Sequence, residues 1–561
     1  MNRKKAVQLL TLVLAIVWIA GCSGTGEGSN NGGAGNNAAA SGAEGKSGVA
    51  GESNNGEESG KPSELIYAVA KDTNDMNPHL YPGSMPAQGM VYESLVENTA
   101  DGLKPLLAES WDISEDGKTY TFHLRQGVTF HDGEPFNAEA VKLNLEAVQA
   151  NAEKHAWIKL STQLEQVTAL DEYTVELKLK ETYYPTLLEL SMTRPYVFLS
   201  PKDFKDGGTK DGVNGYHGTG PYKLVEQVTD QFARFEANDA YWGGAPQVKQ
   251  ITAKVLPAGE TTYLALQKGE VNFVFTDDRG TDSIDIDAMQ RLVDSGDYQI
   301  VRSEPMNTKL LVANSSNTAS PVSDKAVRQA IWQLIDRETI SKTIFSGTET
   351  PAETLFSRNV PYADIELTPR AYDPAAAQAL LEEAGWTSGG SDGIRAKDGK
   401  PLAIKVYYDV NSSSQKTQAE MLQSEALAAG MKLELVGEES PSIANRRSTG
   451  DYELLFNQTW GLAYDPQSTV TAFAAASSYR YTTSGIPQAE ELYRMIEEVM
   501  ISTDEATRKQ LYKDILTIVH DEALFIPLTN GAVTVVAPAN LAGIAFKQTQ
   551  FELPFERMSF K

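Results

Sequence analysis

The 561-residue chain is poor in the residues that bind soft metals and form cross-links. It has one cysteine, Cys22, and six histidines, at positions 79, 123, 131, 155, 217 and 520. A lone thiol closes no disulfide within the chain. With no histidine between His217 and His520, that long stretch supplies neither imidazole nor thiolate to a transition-metal ion. Positive charge is scarce as well. The 49 Lys and Arg stand against 75 Asp and Glu, a formal charge of −26, which argues against binding nucleic acid or docking onto anionic lipid. An acidic body can still hold a locally basic cleft. Beyond Ala20 no run approaches the roughly 18 apolar residues of a membrane span. The GxSxG elbow, the HExxH helix and a cysteine nucleophile are missing too, which argues against a hydrolase. Gly45-Lys46-Ser47 has the ending of a phosphate-binding loop, but Ala40 occupies the first glycine position and no strand precedes it.

What the chain does have starts at its N-terminus. Arg3, Lys4 and Lys5 lead into the apolar run Ala6–Ala20, too short for a permanent membrane helix. The run ends in Ile19-Ala20-Gly21-Cys22, small residues directly before the one cysteine, which resembles a bacterial lipoprotein box. Residues 1–21 are therefore expected to be a signal peptide and Cys22 a lipidation site, making the protein extracytoplasmic and anchored to the cell membrane. Residues 22–62, rich in Gly, Ser, Asn, Ala and Glu, bury too little surface to offset their ordering entropy and read as a flexible linker.

The remainder has ordinary globular composition, 41% apolar and 9% aromatic over the whole chain, and a length that suggests two or three domains. Helical and strand periods mingle throughout. Thr119–Leu124 alternates like a half-buried strand after the turn signal Asp116-Gly117. Asn137–Ala150 reads as an amphipathic helix capped by Asn137, and Val167–Leu179 as a hairpin turning near Asp171-Glu172. Asp324–Ile344 reads as one helix, and Asp373–Gly385 as another with Asp373 as N-cap and Gly385 as C-cap. Strand Leu402–Asp409, helix Ser413–Ala429 and strand Lys432–Val436 then suggest an α/β unit with a partly parallel sheet.

Five segments carry a family resemblance: Leu107–Val141, Gly218–Leu224 (GTGPYKL), Asn238–Gly244 (NDAYWGG), Leu264–Phe273 (LALQKGEVNF) and Tyr372–Trp386. Together they resemble the extracytoplasmic solute-binding proteins of peptide and nickel ABC importers, family 5, over Lys61–Lys561. His79–Met85, Lys154–Leu160, Met192–Phe198 and Thr459–Ser468 are similar to its metal-transport branch. Pro257–Thr261, Phe275–Asp285, Asn445–Gly461 and the ending FELPFERMSFK are similar to binding lipoproteins for staphylopine-type opine metallophores. The resemblance implies an α/β, two-lobed periplasmic-binding-protein type II fold (class C) with a hinge between lobes. Lobe I would comprise residues 63–305, including a small subdomain, and a C-terminal return, 531–561; lobe II would be 306–530. It implies no enzyme and no intrinsic cofactor. The expected partners are a metal–opine chelate of nickel, cobalt, zinc, copper or iron, the permease and ATPase subunits of an importer, and the membrane through lipid, with the protein a monomer. A nickel–histidine chelate, an oligopeptide or a ligand-sensing role are the alternatives.

The chemistry favours a ligand that brings its own metal cage. Relatives in the nickel-chelate branch use a histidine shortly after the TWG and YDP motifs, and the stretch Gln467–Met500 has none, so no metal ligand is expected from the protein. The acidic run Thr276–Asp287 lacks the glycine and glutamate spacing of a calcium loop and reads as a solvated loop. Arginine is instead embedded among apolar residues. Arg194, in LELSMTRPYVFL, needs a carboxylate partner, which the resemblance assigns to the ligand. Arg446 and Arg447 form a second basic pair, with Arg447 the better placed to reach across a cleft. The resemblance adds Trp157 and Trp460 as pocket walls, Tyr81 and Tyr464 as phenolic donors, Asn457 as an amide contact, and Met85 and His155 as further lining, although His155 also reads as structural. Two arginines reading carboxylate oxygens bidentately supply geometry and energy together.

Overall fold

The structure, a computed structural model, describes residues 64–155, 157–276, 284, 286–388, 393–459, 466–476, 478–549 and 552–561. Its architecture is mixed α/β. A four-stranded sheet has the order Glu64–Val69, Gln250–Val255, Phe232–Ala237, Tyr222–Val228, with the first pair parallel and the others antiparallel. Leu65 and Tyr67 are fully buried there. The Tyr67 ring lies between Phe275 and Phe555, at centroid distances of 6.1 and 5.7 Å, so the end of the chain packs into the sheet formed by its beginning.

A second four-stranded sheet is wholly antiparallel, in the order Ala108–Ile113, Thr119–Leu124, Thr174–Leu179, Leu164–Asp171. The alternation read from TYTFHL is realised: Tyr120, Phe122 and Leu124 are buried and the residues between them are not. Helix Ala138–Ala150 starts where Asn137 accepts a bond from the Ala140 N–H, a local signal that needs no tertiary help.

The third sheet is the largest. Its order is Val274–Phe275, Phe525–Pro538, Tyr298–Ala313, Leu454–Gln458, Ala403–Asp409, Lys432–Glu438, with Thr350–Pro351 pairing Phe525–Pro538 off that path. Tyr298–Ala313 and Phe525–Pro538 are antiparallel over their length, and their register shifts on both sides of Pro305, which has no N–H to give the ladder. Ala403–Asp409 is parallel to both of its neighbours. The chain leaves it through helix Ser413–Ala428 to Lys432–Glu438 on one side, then returns through helix Ser440–Thr449 to Leu454–Gln458 on the other. The strand order therefore reverses at the carboxyl end of Ala403–Asp409, the place where open α/β sheets leave a crevice.

The single helix expected over Asp324–Ile344 is two, Lys325–Gln333 and Arg337–Thr343. The periodicity runs on, but Asp336 caps the second helix by accepting from the Thr339 N–H. The buried Arg337 guanidinium donates to Ile335 O beside the break and to Pro527 O on the neighbouring strand. A tertiary bond thus fixes the interruption. The helix capped by Asp373 ends at Glu383, with Gly385 at φ +88° just beyond it, as a left-handed C-terminal residue requires.

One apolar core runs from Leu65 through Phe122 and Phe198 to Leu492 and Tyr512; a second, around Leu311, Trp332, Leu422 and Ile526, lies under the helices of the large sheet. Among the described residues no helix is long and apolar enough to cross a membrane. Burial pushes His79 and His131 down to about 4 from the usual 6.5. The unfolded chain takes up these protons first, so the fold loses stability as pH falls from 6.5 toward 4. Glu93, lifted by burial to about 7, acts in the opposite sense, with its contribution present below pH 4.5 and lost as pH rises through 7. Replacing His79 isolates one part of the balance. In His79→Gln the loss of unfolding free energy between pH 7 and 4.5 should shrink by roughly 2–3 kcal/mol, measured by urea titration at both pH values; an unchanged loss refutes the assignment to His79.

Candidate functional site

Arg194 lies just beyond the short helix Thr186–Leu190 and is 3% exposed. Its Nη1 donates to the carbonyl oxygens of Tyr81 and Gly83, the latter at 2.7 Å, and its guanidinium carbon sits 4.5 Å from the centroid of the Tyr81 ring. The carbonyls fix the orientation of the guanidinium, and the aromatic face holds it by cation–π attraction. The turn that brings these carbonyls in requires glycine: a Cβ on Gly83 would lie 2.6 Å from Asp75 O. From the other side Thr193 donates to the buried carboxylate of Glu552, which also accepts from Lys547. The C-terminal segment therefore braces the residue next to Arg194.

His155 is fully buried, and its Nε2 donates to His79 O at 3.0 Å. Burial first, then the charge of Arg194, lowers its pKa, so it is neutral near pH 7 and tied to the loop that carries Tyr81. Met85 is buried as the first residue of helix Met85–Val91. Tyr81 and Trp157 are the exposed members, at 53% and 46%. The exposed Tyr81 ring beside the buried Arg194 cation offers a surface that can cover a flat or chelated anion.

The second basic pair sits near the end of helix Ser440–Thr449, which stops at Gly450 in the left-handed region, φ +76°. The two arginines differ. Arg446 donates from Nε and Nη2 to the Glu438 carboxylate at 2.8 and 2.7 Å, and from Nη1 to Asp451 at 2.6 Å, while lying 4.5 Å over the Tyr407 ring. Arg446 and then Ser442 hold the Glu438 carboxyl below its ordinary range. Arg446 is therefore a brace. Arg447 lies 5.1 Å over the Tyr479 ring, and its side chain lines a cavity of about 260 Å³. Lys309, Asp409, Ser412, Ser440, Asn457 and Gln458 line the same space, which opens at the strand-order reversal of the large sheet. Asn457 Nδ2 donates to the Tyr479 hydroxyl at 3.0 Å. This polar pocket with a guanidinium in its wall can accept carboxylate oxygens by charge-assisted bonds.

The structure thus gathers the sequence-derived residues into two groups: Tyr81, His155 and Arg194 in one, with Met85 and Trp157 adjacent in sequence, and Arg447 with Asn457 in the other. Trp460, Tyr464 and Cys22 lie outside the described residues, as do the linker and most of Thr276–Asp287. Tyr479, Lys309 and Gln458 went unnoticed in the sequence. Lys309 and Gln458 face each other by strand register, a long-range pairing with no local signal.

The residues 102–480 match the model of the bacterial extracellular solute-binding proteins, family 5. The chain belongs to this family. It is 37% identical over 500 residues to the nickel-binding periplasmic protein of Escherichia coli K12, spanning 89% of this chain and 94% of that one. With the E. coli dipeptide-binding protein the identity is 26%, over 84% and 89% of the two chains. The crystal structure of NikA from Brucella suis in complex with Fe(III)-EDTA superposes with a TM-score of 0.85 at 41% identity, covering 89% of this chain and 100% of NikA. The fold is accordingly the two-lobed type II fold of family 5, and the protein is a non-enzymatic solute-binding subunit of an ABC importer.

Arg446 and Arg447 should separate by experiment. Arg446→Ala breaks three charge-assisted bonds at a partly exposed site and should cost about 1 kcal/mol of stability, lowering the unfolding midpoint in urea; an unshifted midpoint would show the Glu438–Arg446–Asp451 cluster to be idle.

Proposed function

We propose that this family 5 protein captures a preformed, anionic metal–chelator complex of the opine metallophore type and delivers it to its permease, with the metal caged by the chelator. The observation that carries this reading is Arg194: a guanidinium almost wholly buried, oriented by backbone carbonyls and covered on one side by the exposed ring of Tyr81. Arg447 in its polar pocket supplies a second carboxylate reader. A relative that holds Fe(III)-EDTA, an ion wrapped by a polycarboxylate, fits the same mode. Among the described residues no three or more His, Cys, Asp or Glu side chains come together to hold a metal ion.

In this reading residues 63–305 with 531–561 form one lobe and 306–530 the other. They close about the paired strands Tyr298–Ala313 and Phe525–Pro538, bringing Arg194 and Arg447 onto opposite sides of one ligand. Trp460 and Tyr464 complete the walls, and lipid on Cys22 tethers the protein. Charge-assisted hydrogen bonds contribute about 1.5–3 kcal/mol each, so three or four account for micromolar or tighter binding after entropic losses. Metal preference then follows the chelator.

Calorimetric titration with Ni(II) complexes of an opine chelator, of histidine and of EDTA, and with dipeptides, tests the reading. The opine complex should bind tightest. Free Ni²⁺ should bind far more weakly than the complex, and equal affinity for the naked ion would establish direct coordination instead. Arg194→Ala and Arg447→Ala should each weaken the chelate at least about tenfold, or 1.4 kcal/mol, while Arg446→Ala leaves affinity unchanged; unaltered affinity in Arg194→Ala removes it from the site.

A further inference from the structure

Next to the polar pocket of Arg447 lies a second cavity, of about 220 Å³, lined mainly by apolar residues such as Leu311, Leu334, Ile340 and Leu422, with Asp336 and Glu425 also in its wall. The side chains of Gln418, Phe456 and Leu528 line both spaces, so these three form the partition between them. Gln418 is an odd choice for a partition. It is 3% exposed on helix Ser413–Ala428. Its Nε2 donates to Ser414 O at 3.2 Å, whereas its Oε1 is shut from solvent with no hydrogen-bond partner among the described residues. An unsatisfied buried carbonyl destabilises the position that buries it, and an apolar residue would seal the same wall without that penalty.

We propose that Gln418 is a gate and that the mostly apolar chamber is a subsite for an alkyl arm of the ligand. When the charged groups of a chelate occupy the polar pocket, the Gln418 amide turns its oxygen toward an N–H of the ligand. The arm passes between Phe456 and Leu528 into the chamber. The ligand class is an N-carboxyalkyl amino acid with a branched aliphatic side chain: carboxylates for Arg447, a secondary amine for Gln418, a hydrocarbon arm for the chamber. This rests on the chelate reading above and adds the side-chain chemistry that the site selects.

The test uses Ni(II) complexes of three N-(carboxymethyl) amino acids, those of glycine, leucine and glutamate, titrated calorimetrically into the full-length protein. The leucine complex should bind about tenfold tighter than the glycine complex, and the glutamate complex, whose arm is similar in length but charged, should show no gain. Met421→Trp, which fills the chamber, should abolish the leucine preference; Ser424→Trp, at its exposed rim, does the same should the first variant fold poorly. Gln418→Ala should weaken all three complexes about threefold and keep the preference. Equal affinity for the leucine and glycine complexes, or a preference that survives both filled chambers, overturns the subsite, and unchanged affinities in Gln418→Ala overturn the gate. If none of the three complexes binds, the subsite and the chelate reading fall together.

Discussion

The antiparallel pairing of Tyr298–Ala313 with Phe525–Pro538 is the contact on which the remaining architecture hangs. These strands form the middle of the largest sheet. One end of the pair supports Val274–Phe275 and the aromatic cluster around Tyr67; the other supports Leu454–Gln458 and, through it, the parallel strands whose carboxyl ends carry the polar pocket. A backbone ladder resists stretching but tolerates twist, most of all where Pro305 interrupts it. The polar pocket of Arg447 is thereby attached to one end of this element, beyond the irregularity at Pro305.

Burying a guanidinium is unfavourable unless its donors are met and its charge has a use. The fold meets Nη1 of Arg194 with carbonyls from a glycine turn and supports the adjoining Thr193 with Glu552. Where Arg446 meets two carboxylates, the same chemistry yields a structural clamp. The contrast between Arg446 and Arg447, neighbours in sequence, shows that the surroundings of a charged side chain decide its role. Successive residues of a helix point in directions about 100° apart, which sends one toward Glu438 and the other toward Tyr479.

Local features were legible from the residues alone. Asn137 and Asp373 announced helix starts because a cap is satisfied within three residues, and the buried alternation of Tyr120, Phe122 and Leu124 needed only a period of two. Arg194 stood out as a charge in an apolar run. What escaped notice depends on distant partners. The break between Gln333 and Arg337 is set by a bond to Pro527, and the approach of Tyr479 to Arg447 and Asn457 follows from how the strand Leu454–Gln458 is placed in the sheet. The buried amide of Gln418, on a helix face that otherwise reads as ordinary, acquires meaning only once two cavities are seen on either side of it.

Phe555 sits against both Tyr67 and Phe273, nearly five hundred residues from the first of them in sequence. This aromatic centre is closed by a residue far away along the chain, so it forms only once a very long loop has been drawn shut.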